Sequence, residues 1–291
     1  MIGAAMARGI MMSRILVVSG ILFLLSALTL STCGKGESEA VRHEVKRIIS
    51  LSPSITRQII DLDASDLLVG VTTFHPPLPR KIEIVGTMLN PGIEKIVLLN
   101  PDLVILSEED GATQKIDSLK MAGIPLVTLG RNRDFVSLCT NYERLGRILG
   151  RAQLAVEKIK AYEVELNRVR RPRSGIGVVF LVSHIPLITV SGESFIGHII
   201  DDAGGVNIFA DLRNPYPVIS LESLVRRNPR VILVMTQDGD IYLKQRMKKL
   251  TGKGVAEPGI YSIATDHIPY YTPADYVASV SIVAELIGRK Q

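Results

Sequence analysis

His75, His184 and His267 each follow a stretch that reads as a β-strand, and each lies in a loop. Imidazole is the commonest metal ligand among side chains, so the three, with Glu108 or Asp110, could hold a bare divalent ion such as zinc or manganese. Singly, one of them could cap the metal of a flat macrocycle. No HxxxH or HExxH spacing ties any two together, so ligation stays one reading among several. Phe74, Tyr216, Tyr270 and Tyr271 lie in comparable loops and offer flat faces for a large ring or a chelated metal complex. His43, in a polar N-terminal stretch, and His198, inside a helical pattern, read as solvated or structural.

The two cysteines separate by position. Cys33 directly follows an apolar run from Ile15 to Leu30, in Leu30-Ser31-Thr32-Cys33-Gly34. Sixteen residues make only about 24 Å of helix, short of a hydrocarbon core about 30 Å thick, so residues 1–32 read as a cleaved signal peptide. Cys139 reads as a small buried hydrophobe on a helix, without a disulfide partner where Cys33 carries a lipid. Arg8 and Arg14 are the sole charges before residue 33, leaving 32 basic against 29 acidic side chains beyond it. That balance, the absence of Trp and the lack of a basic run with interleaved aromatics argue against a nucleic-acid partner. No nucleophile elbow, P-loop or GxGxxG occurs, and Ser191-Gly192-Glu193-Ser194 reads as a turn that starts a helix. The chain is expected to bind rather than to catalyse.

These side chains need elements to position them. After a polar tether over 33–46 comes the strand-like Arg47-Ile48-Ile49-Ser50, then a helix from Ser54 to Leu62. Further strands are predicted at 67–71, 82–85, 103–106 and 125–129, with a helix at 113–121. Strands alternating with helices predict a parallel α/β sheet over residues 47–134. Apolar residues then recur at spacings of three and four from Leu145 to Val169, predicting one long, rigid helix over 135–171 that Pro172 ends. The α/β pattern restarts over 172–291, with strands at 176–182 and 231–235 and a helix capped by Ser194.

The two stretches share a repeat. Residues 93–106 read IEKIVLLNPDLVIL and residues 221–234 read LESLVRRNPRVILV, at a constant offset of 128. Glu94 matches Glu222, Asn100 matches Asn228 and Pro101 matches Pro229. Each copy is a short helix, an Asn-Pro break that stops it, and a buried strand. The expected fold class is therefore α/β, with two similar parallel-sheet lobes joined by a long rigid helix. One glutamate would project from an equivalent place on each lobe, suiting a partner that is itself twofold symmetric.

In order and spacing the chain resembles the periplasmic substrate-binding proteins of ABC importers for cobalamin, ferric siderophores and haem, and the cobalamin-binding branch most. The resemblance covers residues 46–291. It rests on Arg47 to Ser54, Val69-Gly70-Val71, Ala122-Gly123-Ile124-Pro125, Ser191 to Phe195, Ala203-Gly204-Gly205-Val206-Asn207-Ile208 and the two repeat blocks. It implies a ligand cleft between the lobes, no intrinsic cofactor, and a transported cobalamin or iron chelate. It implies that Glu94 and Glu222 dock onto arginines of a permease dimer. Leu30 to Gly34 resembles a lipobox, with Thr32 where Gly, Ala or Ser is usual, and implies a lipid on Cys33 that anchors an exported protein to the membrane. Ligand-binding candidates are Phe74, His75, Met88, Glu108, His184, Tyr216, His267, Tyr270 and Tyr271. Of these, Met88 and Tyr216 stand where cobalamin binders tend to carry tryptophan.

Overall fold

The computed structural model describes residues 45–110, 113–236, 239–250, 257–263 and 272–290. Cys33, His267, Tyr270 and Tyr271, with the expected signal and tether, lie outside the described residues. The first sheet is built from β1 (Ile48–Ser50), β2 (Leu68–Val71), β3 (Glu83–Ile84), β4 (Leu103–Ser107) and β5 (Leu126–Leu129). Its order is β3-β2-β1-β4-β5, with every pair parallel. Helices α1 (Pro53–Asp61), α2 (Ile93–Leu98), α3 (Thr113–Met121) and α4 (Phe135–Ile148) connect or follow these strands. α5 (Ala152–Val169) leads to a second sheet of β6 (Gly177–His184), β7 (Leu187–Thr189), β8 (Val206–Asn207), β9 (Val231–Val234) and β10 (Gly259–Ser262). Its order is β10-β9-β6-β7, with β8 also on β6, and all pairs are parallel except the antiparallel β6–β7. α6 (Phe195–Asp202), α7 (Leu221–Arg226), α8 (Gly239–Leu250) and α9 (Pro273–Gly288) complete this half.

Both sheets are covered on both faces, which is why their central strands read as unbroken apolar runs. Along β4, Leu103 and Ile105 join one apolar cluster while Val104 and Leu106 join another. Along β9, Val231 and Leu233 face one cluster and Ile232 and Val234 the opposite one. Each such fully buried side chain contributes about 1.5–3 kcal/mol of transfer free energy.

The repeat is structural as well as sequential. α2 and α7 are each six residues long, and each is followed by an asparagine at positive φ, 44° at Asn100 and 48° at Asn228. Proline at the next position bars the right-handed helical conformation, and asparagine tolerates the left-handed one better than most side chains. The helix therefore ends and turns into the strand at one fixed residue. Ile96 and Leu224, on equivalent turns, are wholly buried.

Two local expectations change. α1 starts one turn position earlier than expected: Ser52 is the residue before it and Pro53 opens it, where proline's fixed φ suits a first helical residue. The stretch over 135–171 is two helices, not one. α4 ends at Ile148, Gly150 takes φ +68°, and α5 starts at Ala152. Glycine reaches that left-handed conformation at no steric cost, so the chain folds back instead of continuing. At the crossing, a Cβ placed on Gly146 would stand 2.5 Å from the Cβ of Ala155. The helix that joins the lobes is α5, running from Ala155 in the first lobe's core to Leu166 in the second's.

Candidate ligand cleft

In a parallel α/β sheet, ligands lie beyond the carboxyl ends of the strands, where the loops gather. The loops after β4 and β5 of the first lobe carry Glu109, Arg131 and Arg133. Those after β7 and β8 of the second carry Gly192, Glu193, Ser194, Asn214, Pro215 and Tyr216. With Phe195 and His198 of α6, they wall a cavity of about 860 Å³. That volume lies in the upper part of the range for small-molecule sites.

The first wall is braced by its own backbone. Asn141 of α4 donates from Nδ2 to Gly130 O and to Asn132 Oδ1, both at 2.8 Å. Asn132 N donates to Glu109 Oε1 at 2.8 Å. Arg133 N and Asp134 N donate to Ser137 Oγ at 2.9 and 3.0 Å. Asp134 caps α4, accepting from Ser137 N at 2.8 Å. Burial works to raise the Asp134 carboxyl, but the Ser137 hydrogen bonds and the charge of His198 outweigh it and hold the group below its ordinary 3.8.

The second wall hangs from β7. Thr189 N donates to Pro217 O and Ser191 N to Pro215 O, each at 3.0 Å, which lays the segment from Asn214 to Tyr216 beside the Gly192 turn. Ser194 caps α6 through Gly197 N at 2.9 Å. Gly197 is glycine for a steric reason: a Cβ there would fall 2.2 Å from Ser191 O. Tyr216 remains 44% exposed. Loss of water around its hydroxyl and the charge of Glu109 raise that group above its ordinary value, with Arg131 opposing.

The residues named from sequence are dispersed. Tyr216 lies on the cavity wall. Glu108 precedes Glu109 in a short 3-10 turn after β4. Phe74, His75 and Met88 sit on loops after β2 and β3; Phe74 is 74% exposed, and His75 Nδ1 is 2.7 Å from Pro76 O. His184 lines a separate pocket of about 260 Å³ with Tyr242, Arg246 and Glu222. There its Nδ1 meets Thr236 Oγ1 at 2.7 Å and its ring lies 5.2 Å from that of Tyr242. Among the described residues no group of three His, Cys, Asp or Glu side chains is placed to hold a metal ion. His198, expected to be structural or solvated, stands on the cavity wall. Arg131 and Arg133 are not among the residues named from sequence, although they follow β5 and the rule that singles out the other strand-end loops applies to them equally.

Glu94 and Glu222 occupy the same place in the repeat, each the second residue of its helix and exposed. Glu222 accepts hydrogen bonds from its own N–H and from Ser220, and with nearby Arg246 these hold its carboxyl below the ordinary value.

The family pattern described as periplasmic binding protein matches residues 48–254. This chain belongs to that family. The binding protein is 28% identical over 210 residues to a vitamin B12-binding protein of Vibrio parahaemolyticus, a match spanning 67% of this chain and 74% of the relative. Its fold matches the crystal structure of the periplasmic vitamin B12-binding protein of Vibrio cholerae with a TM-score of 0.73 at 24% identity, covering 85% of this chain and 99% of that one. It also matches the apo periplasmic haem-binding protein of Roseiflexus sp. RS-1, with a TM-score of 0.70 at 22% identity and coverage of 85% and 100%. The duplicated sheets, the helical link and the cleft between lobes are those of a substrate-binding protein.

Proposed function

We propose that this protein captures a bulky metal chelate, a cobalamin-like compound or an iron chelate such as haem or a siderophore complex, and delivers it to an ABC importer. The observation that carries the reading is the cavity of about 860 Å³ walled by loops of both lobes, with Tyr216 at its side. Such a cleft holds a large ligand without surrounding it. In this reading Cys33 carries the lipid that anchors the exported protein, and Glu94 and Glu222 meet the two permease subunits. Their equivalent placement on α2 and α7 supports that role, since a pseudo-twofold protein presents paired contacts to a twofold partner. Exposed charges of this kind act on encounter and orientation more than on affinity.

The bare zinc or manganese reading has less to stand on. His75 is turned onto its own loop and His184 sits in another pocket, so these two do not converge.

A ligand that binds the native state alone raises its melting temperature. Cyanocobalamin, haemin, ferric siderophores and Zn²⁺ form the discriminating panel. Stabilisation by a chelate is expected, and stabilisation by Zn²⁺ alone would overturn the reading. Alanine at both Glu94 and Glu222 is expected to leave ligand binding unchanged and to abolish uptake; undiminished uptake would remove the docking role.

A further inference from the structure

We infer that Arg131 and Arg133 form an anion-binding wall, so that among metal chelates this cleft selects those with outward carboxylate, catecholate or phosphate oxygens. The inference rests on the capture reading above and sharpens it. Both arginines line the cavity and are exposed. Among the described residues neither makes an ion pair or a hydrogen bond through its side chain, although acids stand close by. Glu109, the acid on the same wall, already accepts the N–H of Asn132, the residue between the two arginines. The surrounding loop spends its hydrogen bonds on its own backbone: Gly130 O, Asn132, Arg133 N and Asp134 N are all held by Asn141, Glu109 or Ser137. A fixed backbone presenting two unpaired guanidiniums two residues apart is a preorganised receptor for oxygen anions, because each planar fork binds a carboxylate or phosphate with two parallel hydrogen bonds. Little conformational freedom remains to be lost from the loop on binding.

Glu193 stands on the wall of the other lobe and is exposed. The cavity is therefore polar from lobe to lobe rather than uniformly cationic. The ligand's acidic edge turns toward the β5–α4 loop, and amide or hydroxyl donors turn toward Glu193. Tyr216 adds a flat surface to the same cavity.

The test is direct titration of the purified protein with four probes, followed by quenching of tyrosine fluorescence. Haemin and a ferric tris-catecholate carry anionic oxygens; dicyanocobinamide, a corrinoid without the phosphodiester, and a ferric trihydroxamate carry none at their edge and no net charge. The anionic probes are expected to bind more tightly and to weaken as salt is raised. Replacing Arg131→Gln and Arg133→Gln together should weaken them about a hundredfold, roughly tenfold for each lost charge-assisted contact. The neutral probes should be unaffected. Arg→Lys at both positions should recover part of the loss, since charge returns without the fork. The melting temperature of the Gln variant should equal that of the parent, because neither side chain holds another of the described residues. Tighter binding of a neutral probe, or unchanged affinity of the Gln variant for every probe, overturns the inference and leaves the capture reading intact. Failure of all four probes to bind overturns both.

Discussion

Two buried tyrosines fix the corners of this molecule. Tyr142 of α4 donates its hydroxyl to Asp61, the last residue of α1, which also pairs with Lys158 Nζ at 3.1 Å. Tyr276 of α9 donates to Asp202 Oδ2 at 2.8 Å, and Asp202, the last residue of α6, pairs with Arg170 Nε at 2.9 Å. Burial first, and then the aspartate beside each, pushes both phenols well above their ordinary range, so they stay protonated donors throughout the physiological range. Cys139, between these sites on α4, is 8% exposed, and burial pushes its thiol up to about 12; it acts as a hydrophobe. Asp134 is the carboxylate with the clearest pH consequence. Its folded value lies below 3.8, so its contribution is fully present above the unfolded value near 4 and is lost as pH falls through the lower folded value. Asp134→Ala should cost about 1 kcal/mol at pH 7, and the gap from the parent should shrink below about pH 4. Urea unfolding of both proteins between pH 3 and 7 would measure it; a gap independent of pH would show the carboxylate charge to be irrelevant.

At the level of elements, legibility followed how local the cause was. The helix, Asn-Pro and strand unit was readable because its turn is written in two adjacent residues, and both copies fold as their sequences predict. The break between α4 and α5 was not readable. Leu145, Ile148, Leu149, Ala152 and Ala155 keep helical spacing straight through it, and one glycine inside a periodic run does not reveal whether the chain turns there. α9 went unread for a different reason. Val277, Val280, Ile282 and Val283 are residue types that favour strands, and tertiary burial overrides that preference. The strand-end loops were readable as loops, yet which of them meet across the lobes depends on the packing of α5. Of the residues on the cavity wall, Tyr216 was thus named as a ligand candidate from sequence, and Arg131, Arg133 and His198 were not. The tight α4–α5 crossing depends on Gly146. Gly146→Val should force the helices apart at a cost of about 1–3 kcal/mol, seen as a lower urea midpoint; an unchanged midpoint would mean that the crossing is loose.

Across the whole molecule, the lobes resemble two domains but share their interiors. Phe135, Leu138 and Cys139 of α4 enter the second lobe's core, while Tyr142 and Leu145 of the same helix, with Leu149 just past its end, enter the first's. Arg57 of α1 reaches Asp275 in the first turn of α9 through two hydrogen bonds of 2.8 Å. Residues 45–134 produced alone would expose the face that α4 and α5 cover, and should show neither cooperative melting nor a native near-ultraviolet spectrum; a folded fragment would refute the shared interior.

The two carboxylate pins also turn α5 into a ruler. Lys158 and Arg170 take partners on different lobes, so the count of residues between them sets how the lobes are rotated about each other. One inserted residue would swing the far pin by about 100° and advance it about 1.5 Å, unseating both contacts, whereas seven residues, close to two full turns, would nearly restore the phase. Sequences of this build can therefore vary at the exposed positions of that helix, but in length only by whole turns.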